Sequence, residues 1–279
     1  MHISEAVGLH QEFNAARFAT SAPIPLGARE IETRRRTFWV AWSLNRLFAA
    51  EYGRSRVDLE NIGCLPISSR QDDFTPLLIE LAEVLPDEYT GSVDDFDVAF
   101  NRLFDVSNLP SAFELLKADI CFHLYRRLRL SKINVGSEHV NIILSIIRKA
   151  LVECLALSNF RRPWWNVISA PFQSVCVLLS IDSRESLAMV PDAMVALRHV
   201  ASVYGTSLAR EAVQTAYDLV RNSKQNKLDE GELLDVATRD GPAVEDPILD
   251  WTLSNGFFEA LSEDCLGWSQ FFSSGYVET

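Results

Sequence analysis

EIETRRRTFWVAWSLNRLFAA, residues 30–50, is the stretch whose reading decides the fold class. Placed on a wheel at about 100° per residue, Phe38, Trp39, Val40, Ala41, Trp42, Leu44, Leu47 and Phe48 spread around almost the whole circumference, interrupted by Ser43, Asn45 and Arg46. A helix apolar nearly all round is central, with neighbours on every side. Glu30 and Glu32 suit its positive N-terminal end. Arg46 interrupts the apolar surface and must find acceptors, because an unpaired buried charge costs several kcal/mol. A carboxylate or the carbonyls of a helix end are expected beside it, and Asp58 and Glu60 are near in sequence.

Outward from that helix the pattern stays helical. Only 12 glycines and 11 prolines occur in 279 residues, too few for the tight turns of a sheet protein, and long apolar-periodic stretches recur. The expected class is all-α, a multi-helix domain. A chain of this length can bury roughly 75% of its unfolded surface. TSAPIPLGAR at 20–29 reads as a loop, Gly53 as a helix C-cap, and Pro66 with Ser68 and Ser69 as a connection. Helices are expected at about 75–85, stopped by Pro86, and at 93–106, opened by Asp94 and Asp95. Phe113, Leu116, Ile120, Leu124 and Leu128 predict an amphipathic helix at 111–131. Ser137 and Glu138 are read as capping the next, striped by Val140, Ile143, Ile147, Leu151 and Cys154. Pro163 suits the first position of another, which Pro171 would kink, and 206–222 is amphipathic again. ISEAVGLHQEF at the start lacks an N-cap and reads as the end of an element cut from a longer protein. No fixed-period repeat is visible, so a superhelical arrangement would be structural only.

Charge divides the chain. Residues 1–228 hold 26 acidic and 25 basic side chains, whereas 229–279 hold 12 acidic and one basic, Arg239. The reading is a helical domain over 1–228 followed by an acidic, aromatic-rich segment over 229–279. A body so balanced binds phosphate backbones poorly, since that affinity comes from Lys and Arg displacing counterions. No run of 18 or more uncharged apolar residues occurs and the start lacks a signal-peptide pattern, so the expectation is a protein neither secreted nor membrane-spanning.

Catalytic and metal patterns are missing from the sequence. There is no HExxH, GxSxG or glycine-rich phosphate loop, and the histidines (2, 10, 123, 139 and 199) are isolated. Cys154 and Cys176, the nearest pair of cysteines, stand 22 apart, which no zinc module tolerates. The five cysteines read as reduced core residues, no cofactor is expected, and the protein is read as a non-enzyme. Two basic clusters, Arg34 to Arg36 and Arg126, Arg127, Arg129 with Lys132, suit helix surfaces paired with carboxylates better than a nucleic-acid patch. Trp164 and Trp165 could line a pocket, although tryptophans near a helix start more often pack into a core. In the acidic segment, Trp251, Phe257 and Phe258 suit closing helices. Over 263–279 the interleaving of acids with Trp268, Phe271 and Phe272 resembles an activation segment.

One resemblance organises these features. Glu32, Arg34, Arg35, Arg36, Phe38, Trp39, Arg46, Gly53 and Arg54 resemble the signature of the central regulatory, or middle homology, region of fungal zinc binuclear-cluster transcription activators. Asn45 stands where that family commonly has Asp, and Ser55 where it often has Pro. SEAVGLHQE and ENIGCLP are similar to flanking elements, while LYRRLRLSK and PWWNVISAPFQSVCVLLSID resemble later helices of a branch associated with secondary metabolism, so the likeness spans about residues 3–225. It implies an all-α regulatory domain acting in the nucleus, sometimes through effectors or as a dimer. It also implies an N-terminal six-cysteine cluster and coiled-coil linker that these residues do not contain, so DNA would be reached only indirectly, through other transcription regulators or coactivators. The other reading is a helical small-molecule binder or enzyme that has reused the domain.

Overall fold

The computed structural model describes residues 27–57, 64–68, 70, 73–86, 93–160 and 166–239, with backbone alone at 28 and 236–239. Every regular element among the described residues is a helix. The elements form two compact units that divide between Leu109 and Pro110.

The first unit contains α1 (Ala28–Glu51), α2 (Thr75–Val84) and α3 (Val93–Asp105), with α1 packed on α2 and α2 on α3. Along α1 no residue from Phe38 to Ala50 is exposed, yet only Phe38, Ser43, Arg46, Leu47 and Ala49 are fully buried. The helix is therefore enclosed all round but less deeply than its composition suggests. Its end is set by Gly53 at φ +59, where the Gly53 amide donates to Ala50 O and the Arg54 amide to Ala49 O. Those two bonds satisfy carbonyls that the helix leaves open, and only glycine adopts that φ without strain. Asp73 starts α2, its carboxylate accepting from the Thr75 amide at 3.0 Å and the Thr75 hydroxyl at 2.7 Å. Pro76 takes the first turn, and the chain leaves at Leu85 with Pro86 behind it. Asp94 and Asp95 occupy the first turn of α3, as expected, and Phe96, Phe100 and Leu103 bury its apolar face.

The second unit holds α4 (Ser111–Leu130), α5 (Ser137–Asn159), α6 (Ser169–Ile181), α7 (Arg184–Tyr204) and α8 (Ser207–Arg239). Its central element is α4, which packs on α5 and α6 and is buried at every position from Glu114 to Tyr125. The amphipathic reading of 111–131 is thus corrected: Glu114, Lys117, Asp119 and His123 lie inside with the leucines. Enclosed polar groups need partners. The Lys149 ammonium from α5 meets Glu114 at 2.6 Å, Asn166 donates to Asp119 at 2.8 Å, and the Tyr125 hydroxyl donates to Ser180 at 2.9 Å.

Three local expectations change. The N-cap of α5 is Gly136, and Ser137 is already helical. Pro171 lies in the first turn of α6, where its missing N–H costs no helical bond, so it causes no kink. α8 runs to Arg239, past the expected end at 222 and into the acidic segment, because only Gly231 interrupts a run of helix formers there. α7 had no counterpart in the sequence reading. It starts at a capping box in which Ser183 and Ser186 exchange hydrogen bonds, and it carries Pro191 inside.

Candidate functional site

The residues of the arginine–aromatic signature converge on α1 and on the two segments that it holds, the connection at 64–73 and the C-terminal end of α2. Glu32 and Arg36, one helical turn apart, pair at 2.9 Å. Together they take both backbone polar groups of Ser68: its amide donates to Glu32 at 2.9 Å and its carbonyl accepts from Arg36. Arg36 also pairs with Asp73, the residue that starts α2. Hydrogen bonds from the Ser68 hydroxyl and amide, followed by the charges of Arg36 and Arg35, hold the Glu32 carboxyl below its ordinary range. Three residues later Trp39 donates its indole N–H to Leu65 O at 3.1 Å, and it stands edge-on to both Phe38 and Trp42 at 5.4 Å.

Arg46 is 8% exposed. Its Nε donates to Ala82 O at 3.0 Å, which also accepts from the Leu85 amide, and a terminal nitrogen donates to Leu85 O, so the guanidinium caps the C-terminal end of α2. The same group lies 4.8 Å from the Trp42 ring centroid. Helix-end carbonyls were one of the two expected kinds of acceptor; Asp58 and Glu60 lie outside the described residues. Asn45 donates to Val57 O at 2.9 Å and accepts from Val57 N at 3.1 Å, closing a two-bond ring on one residue. An aspartate could accept but not donate there, which gives Asn45 its own physical role.

The remaining signature residues play lesser parts. Arg34 is exposed and pairs with Glu30 at 2.9 Å; Arg35 reaches Glu32 at 3.8 Å. Arg54 contributes its amide to the cap of α1 while its side chain stays exposed. Trp164, Trp165, Trp268, Phe271 and Phe272 lie outside the described residues. Sequence reasoning missed Ser68 and Asp73; the order Asp73, Phe74, Thr75, Pro76, an acid just before a Thr-Pro helix start, was the available signal for Asp73.

Chemically, the arrangement positions chain segments. Glu30, Glu32 and Asp73 offset the Arg34–Arg36 cluster, which makes it a poor phosphate cradle. Among the described residues no group of His, Cys, Asp and Glu could hold a metal ion, and no helix is long and apolar enough to cross a membrane. Burial pushes the Cys121 and Cys154 thiols up to about 12, so neither is a nucleophile near neutral pH.

The chain is 38% identical over 248 residues to Protein RDR1 of Saccharomyces cerevisiae, a span covering 88% of this chain and 45% of that protein. Among its relatives are proteins named as fungal transcription regulators. Transcription factor kojR of Aspergillus flavus is 34% identical over 250 residues, 88% of this chain and 44% of its own length. A probable transcriptional repressor of Schizosaccharomyces pombe is 33% identical over 146 residues, 47% of this chain and 38% of its own. The chain spans less than half the length of these curated relatives. No family model matches, and no solved structure matches.

Proposed function

We propose that this chain is the regulatory body of a fungal transcription regulator, acting in the nucleus on a secondary-metabolite gene cluster. It works through other regulators or coactivators and reads no DNA itself. The observation that carries this reading is similarity over 88% of the chain to a protein named as a fungal transcription factor. The chemistry of the residues agrees with it. The signature side chains are engaged in internal contacts, the body to residue 228 is nearly charge-neutral, and the 279 residues hold no zinc-module spacing.

The acidic segment supplies the output. Over 229–279, 12 carboxylates and one arginine surround Trp268, Phe271 and Phe272, a composition suited to folding on a hydrophobic groove of a coactivator. The middle homology region of zinc-cluster activators is the family to which we assign the helical part, and Glu32, Arg36, Phe38, Trp39, Arg46 and Gly53 serve there as structural residues.

The test is deletion of the gene in its fungal host followed by transcript profiling. A set of adjacent biosynthetic genes should change together, and a strain lacking only 229–279 should reproduce that change. Transcripts that remain unaltered under conditions in which the protein is present in nuclei would overturn the reading.

A further inference from the structure

Of the 11 prolines, Pro76 alone follows a serine or a threonine, so Thr75-Pro76 is the one Ser/Thr-Pro pair in the 279 residues. The pair opens α2. Phe74 and Pro76, on either side of Thr75, are exposed, and Thr75 itself is half-buried. The buried residues of α2, Leu81, Ala82 and Val84, all lie beyond its first turn. The start of the helix is held by the Leu78 amide on Phe74 O at 3.1 Å and by the two bonds of Thr75 to Asp73. Pro76 has no amide to add, and a residue before proline prefers extended backbone. Thr75 can therefore open into the extended form that a kinase grips without uncovering the core of the unit.

The charges around its hydroxyl are evenly matched. Asp73 accepts from Thr75 through one carboxylate oxygen and from Arg36 through the other. Arg36 also serves Glu32 and Ser68 O, while Arg35 reaches Glu32 at 3.8 Å. Two acids thus face two guanidinium groups. The Nε of Arg36 is buried and has no hydrogen-bond partner among the described residues, a donor still open beside that balance.

We propose that Thr75 is the phosphorylation site of a proline-directed protein kinase, and that its phosphate draws Arg36 away from Asp73. The Oγ attacks the γ-phosphorus of ATP, the bond from that phosphorus to the bridging oxygen breaks, ADP leaves, and the hydroxyl proton passes to the kinase's base. A kinase pocket with no acceptor for the amide after the threonine selects proline there, because any other residue brings an N–H that stays unpaired. The phosphate adds about −1.5 to −2 charges and three acceptor oxygens. It removes the hydroxyl from which Asp73 accepts, sets a second anion beside that carboxylate, and offers Arg36 a stronger partner with Nε as the open donor. The positive helix N-terminus favours the phosphate itself. The loss therefore falls on the connection that Asp73 closes rather than on α2. The modification is independent of the transcriptional reading.

The test uses the folded full chain, incubated with labelled ATP and purified proline-directed kinases of the mitogen-activated and cyclin-dependent classes, with the product mapped by mass spectrometry. About one phosphate per chain is expected, on Thr75, and none at that position in Thr75→Ala. Pro76→Ala keeps the hydroxyl and its bond to Asp73 and should cut incorporation by more than about tenfold. In the phosphorylated chain, amide hydrogen exchange over 64–73 should quicken about fivefold while that over 77–84 stays unchanged. A Thr75 that neither kinase labels, or a Pro76→Ala chain labelled as fast as wild type, would overturn the site. Exchange over 64–73 that phosphorylation leaves unaltered would overturn the release of Asp73.

Discussion

Arg46 and Gly53 lie on the same helix and are tied to it by different physics. Replacing Arg46 with Ala removes the guanidinium donor from Leu85 O and leaves Ala82 O with the Leu85 amide alone. An orphaned buried acceptor costs about 1–3 kcal/mol, so a loss of about 2 kcal/mol is expected by denaturant titration, with an unchanged midpoint the contrary result. At Gly53 an added Cβ meets nothing within 4 Å, so the penalty for Ala comes from the backbone at φ +59 alone. About 1 kcal/mol is expected for Gly53→Ala and less for Gly53→Asn, because Asn tolerates that conformation better; equal losses would mean that a steric contact decides. Glu32 adds a pH dependence. Its carboxyl is held low by Ser68 and the neighbouring arginines, so its contribution is complete above the ordinary glutamate range and fades as pH falls through the lowered value. Glu32→Gln should therefore destabilise at pH 7, and the deficit should shrink steadily as pH falls below the ordinary glutamate range. A deficit that persists undiminished in acid would assign the effect to shape rather than charge.

At the scale of the element, α8 is the helix whose ends matter most. Gly231 lies within it beyond the level where α7 begins, and no atom stands within 4 Å of a Cβ placed there. Ala at that position should firm the helix by about 1 kcal/mol, the usual difference between the two residues in a solvated helix. Amide hydrogen exchange over 228–235 should slow about fivefold in Gly231→Ala, and no change would mean that this stretch is already held by packing. α7 shows why an element can be illegible. Its capping box uses Ser186 where an acid or amide usually sits, and Pro191 falls where a reader expects a stop. Tertiary packing carries the helix through the proline, with Met189, Val190, Ala193 and Met194 buried on either side of it.

For the whole molecule, the balanced charge of residues 1–228 and the pairing of the arginine cluster lead to one further expectation. The purified chain should carry no stoichiometric zinc by elemental analysis and should give no sequence-specific duplex shift at physiological salt. Two zinc ions per chain, or a specific shift at nanomolar protein, would contradict it.

Helical class, the extents of α2 and α3 and the need of Arg46 for an acceptor were determined by the sequence alone. Each follows from local rules: apolar period, proline punctuation, and the cost of burying a charge near its own helix. The division at Leu109 and Pro110, the burial of Glu114, Lys117, Asp119 and His123 inside α4, and the choice of Ala82 and Leu85 as the carbonyls for Arg46 were decided by the tertiary structure. The physical reason is range. A polar residue inside a helix carries no mark of whether its partner will be water or, as for Asp119, an amide 47 positions away, and only packing brings the two together.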